Sequence, residues 1–214
     1  MNYPDYDTYT KLYGRYLKKG PEKFFAKRDP KGLKVLDLCA GGGQLSQYAL
    51  DHGADFVQMV DMEYKMLNPN FKSPEGRVGM MTIAVEAYLR TINQAPFDIG
   101  TCRQGINYWF PNVSGEEISG VIKKGGMFVF NTFGNKPSET PTIREYYHEG
   151  IAYKEISYRV GNLIHHVQTA SGLPPHTTVF YWIEPEEYRR KLSSYFILNE
   201  VVDGPSSMWY CTKV

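Results

Sequence analysis

The stretch Val35-Leu36-Asp37-Leu38-Cys39-Ala40-Gly41-Gly42-Gly43-Gln44-Leu45-Ser46 decides the fold. It reads as a buried strand with an acid at its end, a glycine turn and the start of a helix. That order opens the nucleotide-binding half of a parallel α/β sheet. The acid narrows the ligand. A dinucleotide lays its pyrophosphate against the helix N-terminus, where the Asp37 carboxylate would repel it. The turn suits a ligand that brings positive charge and no phosphate.

S-adenosylmethionine answers that description, with an ammonium, a sulfonium and no phosphate. The next strand, Phe56-Val57-Gln58-Met59-Val60, ends at Asp61. Asp61 lies about twenty residues beyond the glycine turn, the spacing at which an acid meets a ribose diol. Charge-assisted hydrogen bonds are each worth ~1.5–3 kcal/mol, so affinity for this cofactor is expected to depend heavily on Asp61.

From these residues the chain resembles the class I S-adenosylmethionine-dependent methyltransferases. The resemblance rests on Val35 to Gly43, Val60-Asp61-Met62, Phe97-Asp98-Ile99-Gly100, and Lys123-Lys124-Gly125-Gly126-Met127-Phe128-Val129-Phe130. These stand in family order and at family spacing. One position departs. The family's first small turn residue is usually Gly and here is Cys39, which predicts a slightly altered turn. The resemblance implies a doubly wound Rossmann-like α/β sheet of seven strands, mostly parallel, with an antiparallel edge hairpin. It assigns Asp37, Cys39, Ala40, Gly41, Gly43, Asp61, Met62, Glu86 and Cys102 to the cofactor, with S-adenosylhomocysteine as product. Glu86 reads equally as a solvated acid at a helix start.

With 214 residues the chain suits a single domain, 1–214, with a sizeable core. Lys and Arg number 24 against 23 Asp and Glu, a net charge of +1, which argues against duplex DNA as a partner. Cys39, Cys102 and Cys211 are too few and scattered for a disulfide framework or a zinc site, so no metal is expected and a reducing cytoplasm is the default. No apolar run is long enough to span a membrane, and the N-terminus is not a signal peptide. A homodimer stays open.

Residues 6–27 read as helical, interrupted at Gly20-Pro21. Tyr6, Tyr9, Tyr13 and Tyr16 share one face, which suits core packing. Aromatic faces also attract a cation, and the resemblance implies that residues 1–30 form a lid placing Tyr9 and Tyr13 over the cofactor. Strands are expected at 34–38, 56–60, 78–83, 97–101 and 126–132, alternating with helices at 43–52, 63–67, 85–93 and 115–123, which places helices on both sheet faces. Asn68-Pro69-Asn70-Phe71 reads as a turn. After a polar loop at 134–142, β-rich runs at 151–160, 162–169 and 176–183 suggest an antiparallel meander after the fifth strand. A helix from Pro185 and two closing strands follow. The insertion, 143–183, is expected to cap the substrate.

Methyl transfer to nitrogen or oxygen calls for a base, and His165, His166 and His176 are the candidates. His165 and His166 point to opposite faces of their strand, so at most one lines a pocket there. Arg103, beyond the fourth strand, could clamp an acceptor carboxylate or phosphate or make a surface salt bridge. No base is placed beside Cys102, which disfavours it as nucleophile. The size, the cap and the neutral charge favour a small-molecule acceptor, with nucleic acid disfavoured. A protein or RNA acceptor, a nicotinamide oxidoreductase reading of Gly41-Gly42-Gly43-Gln44-Leu45-Ser46, and a non-catalytic cofactor-binding protein remain as alternatives.

Overall fold

The computed structural model describes residues 4–17, 20–91, 96–133, 136–203 and 206–214; of residues 14–17 and 203 only the backbone is described. The chain opens with helix α1 (Tyr6–Leu17) and a short helix α2 (Pro21–Phe24), separated at Gly20 as the Gly-Pro pair predicts. Then β1 (Lys34–Leu38), α3 (Gln44–Asp51), β2 (Phe56–Asp61), a 3₁₀ turn (Tyr64–Met66), β3 (Val78–Thr82), α4 (Val85–Thr91) and β4 (Phe97–Cys102) follow. A short α5 (Ile106–Trp109), a second 3₁₀ turn (Phe110–Asn112) and α6 (Gly115–Val121) lead into β5 (Ile122–Phe133). Ser114 and Glu117 form a capping box that starts α6.

β1 to β5 pair in parallel, in the order β3-β2-β1-β4-β5. The edge beyond β5 is the antiparallel hairpin of β11 (Ser206–Lys213) and β10 (Phe196–Asp203), giving seven strands. Strand alternation sends Leu36, Leu38, Cys102, Phe128, Phe130 and Trp209 to one face, against α4 to α6 and the later helix α7 (Pro185–Leu192). Val35, Val57, Met59, Ile99 and Val129 pack on the other, against α2 and α3. The sheet is therefore covered on both faces, as its near-continuous apolar strands require.

The insertion between β5 and α7 is a second, four-stranded sheet: β6 (Thr142–His148), β7 (Ile151–Val160), β8 (Leu163–Ala170) and β9 (His176–Tyr181), antiparallel throughout. The sequence reading anticipates three of these strands and misses β6. β6 is an exposed edge strand of mixed charge. Its turn, Glu149-Gly150, has φ of 50° and 79°, a hairpin geometry normally signalled by Asn or Gly at the first position. Among the described residues no helix is long and apolar enough to cross a membrane.

Candidate cofactor and acceptor site

The glycine turn connects β1 to α3 at the carboxyl edge of the sheet, where open α/β sheets bind ligands. Gly43 has φ of 77°, and a Cβ there would stand 2.9 Å from Leu67 and 3.0 Å from Phe71. Only glycine meets both demands. Phe71 belongs to the Asn68-Pro69-Asn70-Phe71 turn, which closes through Asn70 N to Asn68 Oδ1 at 2.9 Å and docks on the glycine turn through Asn68 N to Gly42 O at 3.3 Å.

Asp37 is buried beneath the turn. Its carboxylate accepts from Ser46 Oγ at 2.6 Å and Thr101 Oγ1 at 3.1 Å. Burial pushes its pKa up to about 6, against the lowering effect of those two hydroxyls. Asp61, buried at the end of β2, accepts from Gly41 N at 2.8 Å through Oδ2 and from Glu63 N at 3.0 Å through Oδ1. Burial raises its pKa also, with those amides working the other way. One acid thus braces the turn from below and the second grips it from the side.

Cys39, the departure from the family pattern, sits in the left-handed region with φ of 57°. Such a conformation costs a non-glycine residue roughly 1–2 kcal/mol. The side chain is locked by its surroundings: a Cβ placed on Gly105 would come within 2.5 Å of Cys39 Cβ and 3.3 Å of Cys102 Sγ. The contact with the Cys102 thiol, and then burial, raise the Cys39 pKa well above the ordinary thiol value, so this sulfur is not a nucleophile. Cys102 itself is fully buried and lies behind Cys39.

A small pocket opens over the turn, lined by Tyr9, Asp37, Cys39, Ala40, Gln44, Leu45, Arg103 and Gln104. Tyr9 reaches it from α1, with its hydroxyl 3.4 Å from where a Gly41 Cβ would stand. Burial pushes the Tyr9 pKa up to about 12. Arg103 is the cation of the pocket, and burial lowers its pKa, opposed by Tyr9 and Asp37. Gln104 N donates to Asn131 Oδ1 at 2.8 Å, which fixes the loop after β4 against β5. Gln44 and Gln104 were given no role by the sequence reading; each stands immediately beside a residue that was.

Met62 is exposed just past Asp61, at the same edge. Glu86 is turned away to accept from Asn112 Nδ2 at 3.2 Å. The tyrosine stripe divides. Tyr9 covers the turn, and Tyr13 packs 5.4 Å from it, centroid to centroid, with its hydroxyl 2.7 Å from His176 Nδ1. The side chain of Tyr16 lies outside the described residues.

The inserted sheet turns one face to α1. Gln168 Nε2 donates to Leu12 O, and Tyr153 Oη donates to Lys11 O at 2.7 Å. Strand register places Ser157, His166 and Thr178 in one row of that face, Glu155, Gln168 and His176 in the row toward α1, and Arg159, Ile164 and Phe180 in the row away from it. At the far end Phe180 stacks on Phe133 at 5.1 Å and meets Tyr108 edge-on at 5.7 Å, with Trp182 buried nearby. Asn107 Nδ2 donates to Tyr181 O at 2.8 Å, which holds α5 there. Under α1 the face is mixed, with Leu12 packed on Tyr153 and Ala170 beside the polar row; beside α5 it is apolar, and the half-buried His166 lies between. His165 points to the opposite face and stacks on Tyr158 at 5.0 Å. So the structure groups His166 with His176 and separates His165 from both. Ser157, 2.8 Å from His166 Nδ1, was not anticipated.

These groups fit S-adenosylmethionine. The turn has a sealed acid where a pyrophosphate would need positive charge, and a carboxylate stands at the end of β2 where a ribose diol binds. Asp61, Gly41 and Gly43 would hold its nucleoside side, and Tyr9 and Arg103 its amino-acid side.

Neither a family model nor a curated protein sequence matches the chain. Solved structures do. An S-adenosylmethionine-dependent methyltransferase from Clostridium acetobutylicum ATCC 824 superposes with a TM-score of 0.69 at 16% identity, over 97% of this chain and 96% of that one. CalS10, an amino pentose methyltransferase from Micromonospora echinaspora, gives 0.68 at 16% identity over 100% and 98%. DesVI from Streptomyces venezuelae gives 0.67 at 15% identity over 98% and 97%. The likeness is one of fold along the whole length: the chain has the class I S-adenosylmethionine-dependent methyltransferase fold.

Proposed function

We propose that the protein is an S-adenosylmethionine-dependent methyltransferase that acts on a small-molecule acceptor. One observation carries the reading: the glycine turn is held between two buried acids, Asp37 below and Asp61 beside Gly41. That arrangement repels a pyrophosphate and suits a cationic donor. The bound donor supplies an already activated methyl group. The chain then has to position an acceptor, keep water out and take up a proton.

Tyr9 offers an aromatic face to the cation, and α1 acts as the lid. Arg103 stands with Tyr9 and Asp37 at the cofactor turn, so we assign it a carboxylate at the donor's amino-acid end rather than on the acceptor. We place the acceptor beneath the inserted sheet, beside the rings of Tyr108, Phe133 and Phe180, which meet as an apolar wall. Such a wall with a few polar groups suits a small molecule. Of the three histidines we assign the base to His166. His176 is engaged by the lid tyrosine, and His165 lies on the other face. The free thiols Cys39, Cys102 and Cys211 suit a reducing compartment such as the cytoplasm.

Thermal melts with S-adenosylmethionine, S-adenosylhomocysteine and NAD test the cofactor. At a hundred times the dissociation constant the correct ligand adds ~2.7 kcal/mol, a shift of roughly 5–10 °C. Stabilisation by NAD alone would overturn the reading. A parallel panel of amines, phenols, carboxylates and RNA, read by S-adenosylhomocysteine release, tests the acceptor class. Turnover on RNA alone would refute a small-molecule substrate.

A further inference from the structure

We propose that the outer face of the inserted sheet is a dimer interface, taken by the same face of a second copy of this chain. The proposal is independent of the methyltransferase reading, because it concerns the side of the sheet turned away from α1 and His166.

Strand alternation sends Gln168 and His166 of β8 to the α1 side, and Val167 and His165 the other way. An antiparallel sheet with one face in water normally makes that face polar. This one does not. Ile143, Ile156 and Val167 are direct neighbours across β6, β7 and β8, and Tyr158, His165 and Val179 form the next row across β7, β8 and β9. Ile143, Ile156, Val167 and Val179 belong to none of the packed apolar clusters of the described residues. Ile143 is 56% exposed, and Val160, at the end of β7 on the same face, is 59% exposed. The charged side chains here are Glu145 and Lys154, which sit toward the other end of the face and pair with each other at 3.0 Å. An apolar and aromatic centre with charges at the margin is the composition of an interface.

Size and charge identify the occupant. Four strands ~4.8 Å apart and about eight residues long, at ~3.4 Å per residue, make a face of about 500 Å². Two such faces buried together remove about 1,000 Å² from water, the size a specific interface has to reach. Because Glu145 neutralises Lys154, the face has no sign of charge by which to select an acidic or a basic partner, and a second copy meets it without repulsion. Related by a two-fold axis, the two faces pack as a sandwich, with side chains interdigitating across ~10 Å. The dimer thereby backs the sheet whose inner face carries the proposed acceptor site.

Sedimentation velocity of the full chain at micromolar concentration should show a particle of twice the 24.5 kDa chain mass. Ile143→Glu alters a side chain that is already more than half exposed, so the fold should stand. Entering the interface twice, it should raise the dissociation constant of the dimer by ~100-fold, about tenfold for each copy. The rival surface is the edge strand β10, where Ile197 and Val201 are exposed, and Val201→Glu should leave the dimer unchanged. In a mixture of two differently labelled wild-type copies, intermolecular NOEs should join the methyls of Ile156, Val167 and Val179, a readout that needs no substitution. A wild-type monomer throughout the micromolar range overturns the proposal. A dimer whose intermolecular NOEs fall on β10, and that Val201→Glu rather than Ile143→Glu dissociates, overturns it as well. No donor or acceptor enters these measurements, so they stand apart from the melts and the acceptor panel that decide the methyltransferase reading.

Discussion

The hydroxyl of Tyr13 meets Nδ1 of His176 at 2.7 Å, joining residues 163 positions apart in sequence. With the Gln168 and Tyr153 contacts to the α1 backbone, it ties α1 to the inserted sheet. The same helix puts Tyr9 over Gly41. The two halves of the proposed site, donor and acceptor, are thus covered by one helix.

Tyr13→Phe removes the hydroxyl and leaves the ring. It should cost about 0.5–1.5 kcal/mol of stability and raise the cofactor's off-rate several-fold. Deleting residues 1–18 should raise the off-rate further. Stopped-flow displacement of S-adenosylhomocysteine measures this. A truncated protein that melts far lower but releases the ligand at the wild-type rate would show that the stripe only packs.

Asp61→Ala should weaken cofactor binding by ~2–4 kcal/mol if the carboxylate meets a ribose diol with two charge-assisted bonds. The structure adds a second consequence. The amides of Gly41 and Glu63 lose their acceptor, so the melting temperature should fall as well. Calorimetry on the folded variant decides; unchanged affinity would remove Asp61 from the ribose site.

Asp37 predicts the sign of a pH dependence. Its folded pKa, about 6, lies above its ordinary value of 3.8 because of burial. The folded state therefore holds the proton more tightly than the unfolded state. Stability from this group is fully present below about 3.8 and is lost as pH rises to about 6, on the order of 3 kcal/mol in all. Asp61 shifts in the same direction. Asp37→Asn should flatten the melting-temperature profile across that window. A wild-type slope retained in the variant would mean that other groups carry it.

Gly105→Ala should destabilise by about 1–3 kcal/mol, because its Cβ would overlap Cys39 Cβ. In a Cys39→Gly background that overlap is gone, and most of the cost should vanish. A double-mutant cycle with a coupling below roughly 0.5 kcal/mol would show that the turn simply moves aside.

The parallel sheet was legible because its strands are unbroken apolar runs ending in acids and glycines at fixed intervals. Asp37 and Asp61 could be placed from spacing alone, since each closes a strand at the ligand-binding edge. The division of the histidines was half legible. Alternation separates His165 from His166, but only pairing with β9 brings His176 to the His166 side. Ser157 carried a signal that went unused. The two-residue turn Gly161-Asn162 sets Val160 opposite Leu163, and counting outward sets Ser157 opposite His166. Glu155, buried and accepting from Tyr146 Oη at 2.8 Å, carried no such signal, because its burial depends on α1 arriving from the other end of the chain. The inward turn of Arg103 was equally hidden, since it depends on Tyr9 closing from above.

The stacking of Phe180 on Phe133 means that the inserted sheet departs from the main sheet and returns to it through one narrow gate. The strands between those two rings pair with none of the strands of the main sheet, so β1, β2 and their acids take no register from them. The proposed acceptor side still reaches the donor side through α1, because Tyr153, Gln168 and His176 hold the helix that carries Tyr9. A chimaera built by grafting a related insertion at Phe133 and Phe180 should inherit its acceptor from the graft, and should keep the host's cofactor affinity where the graft retains those three contacts.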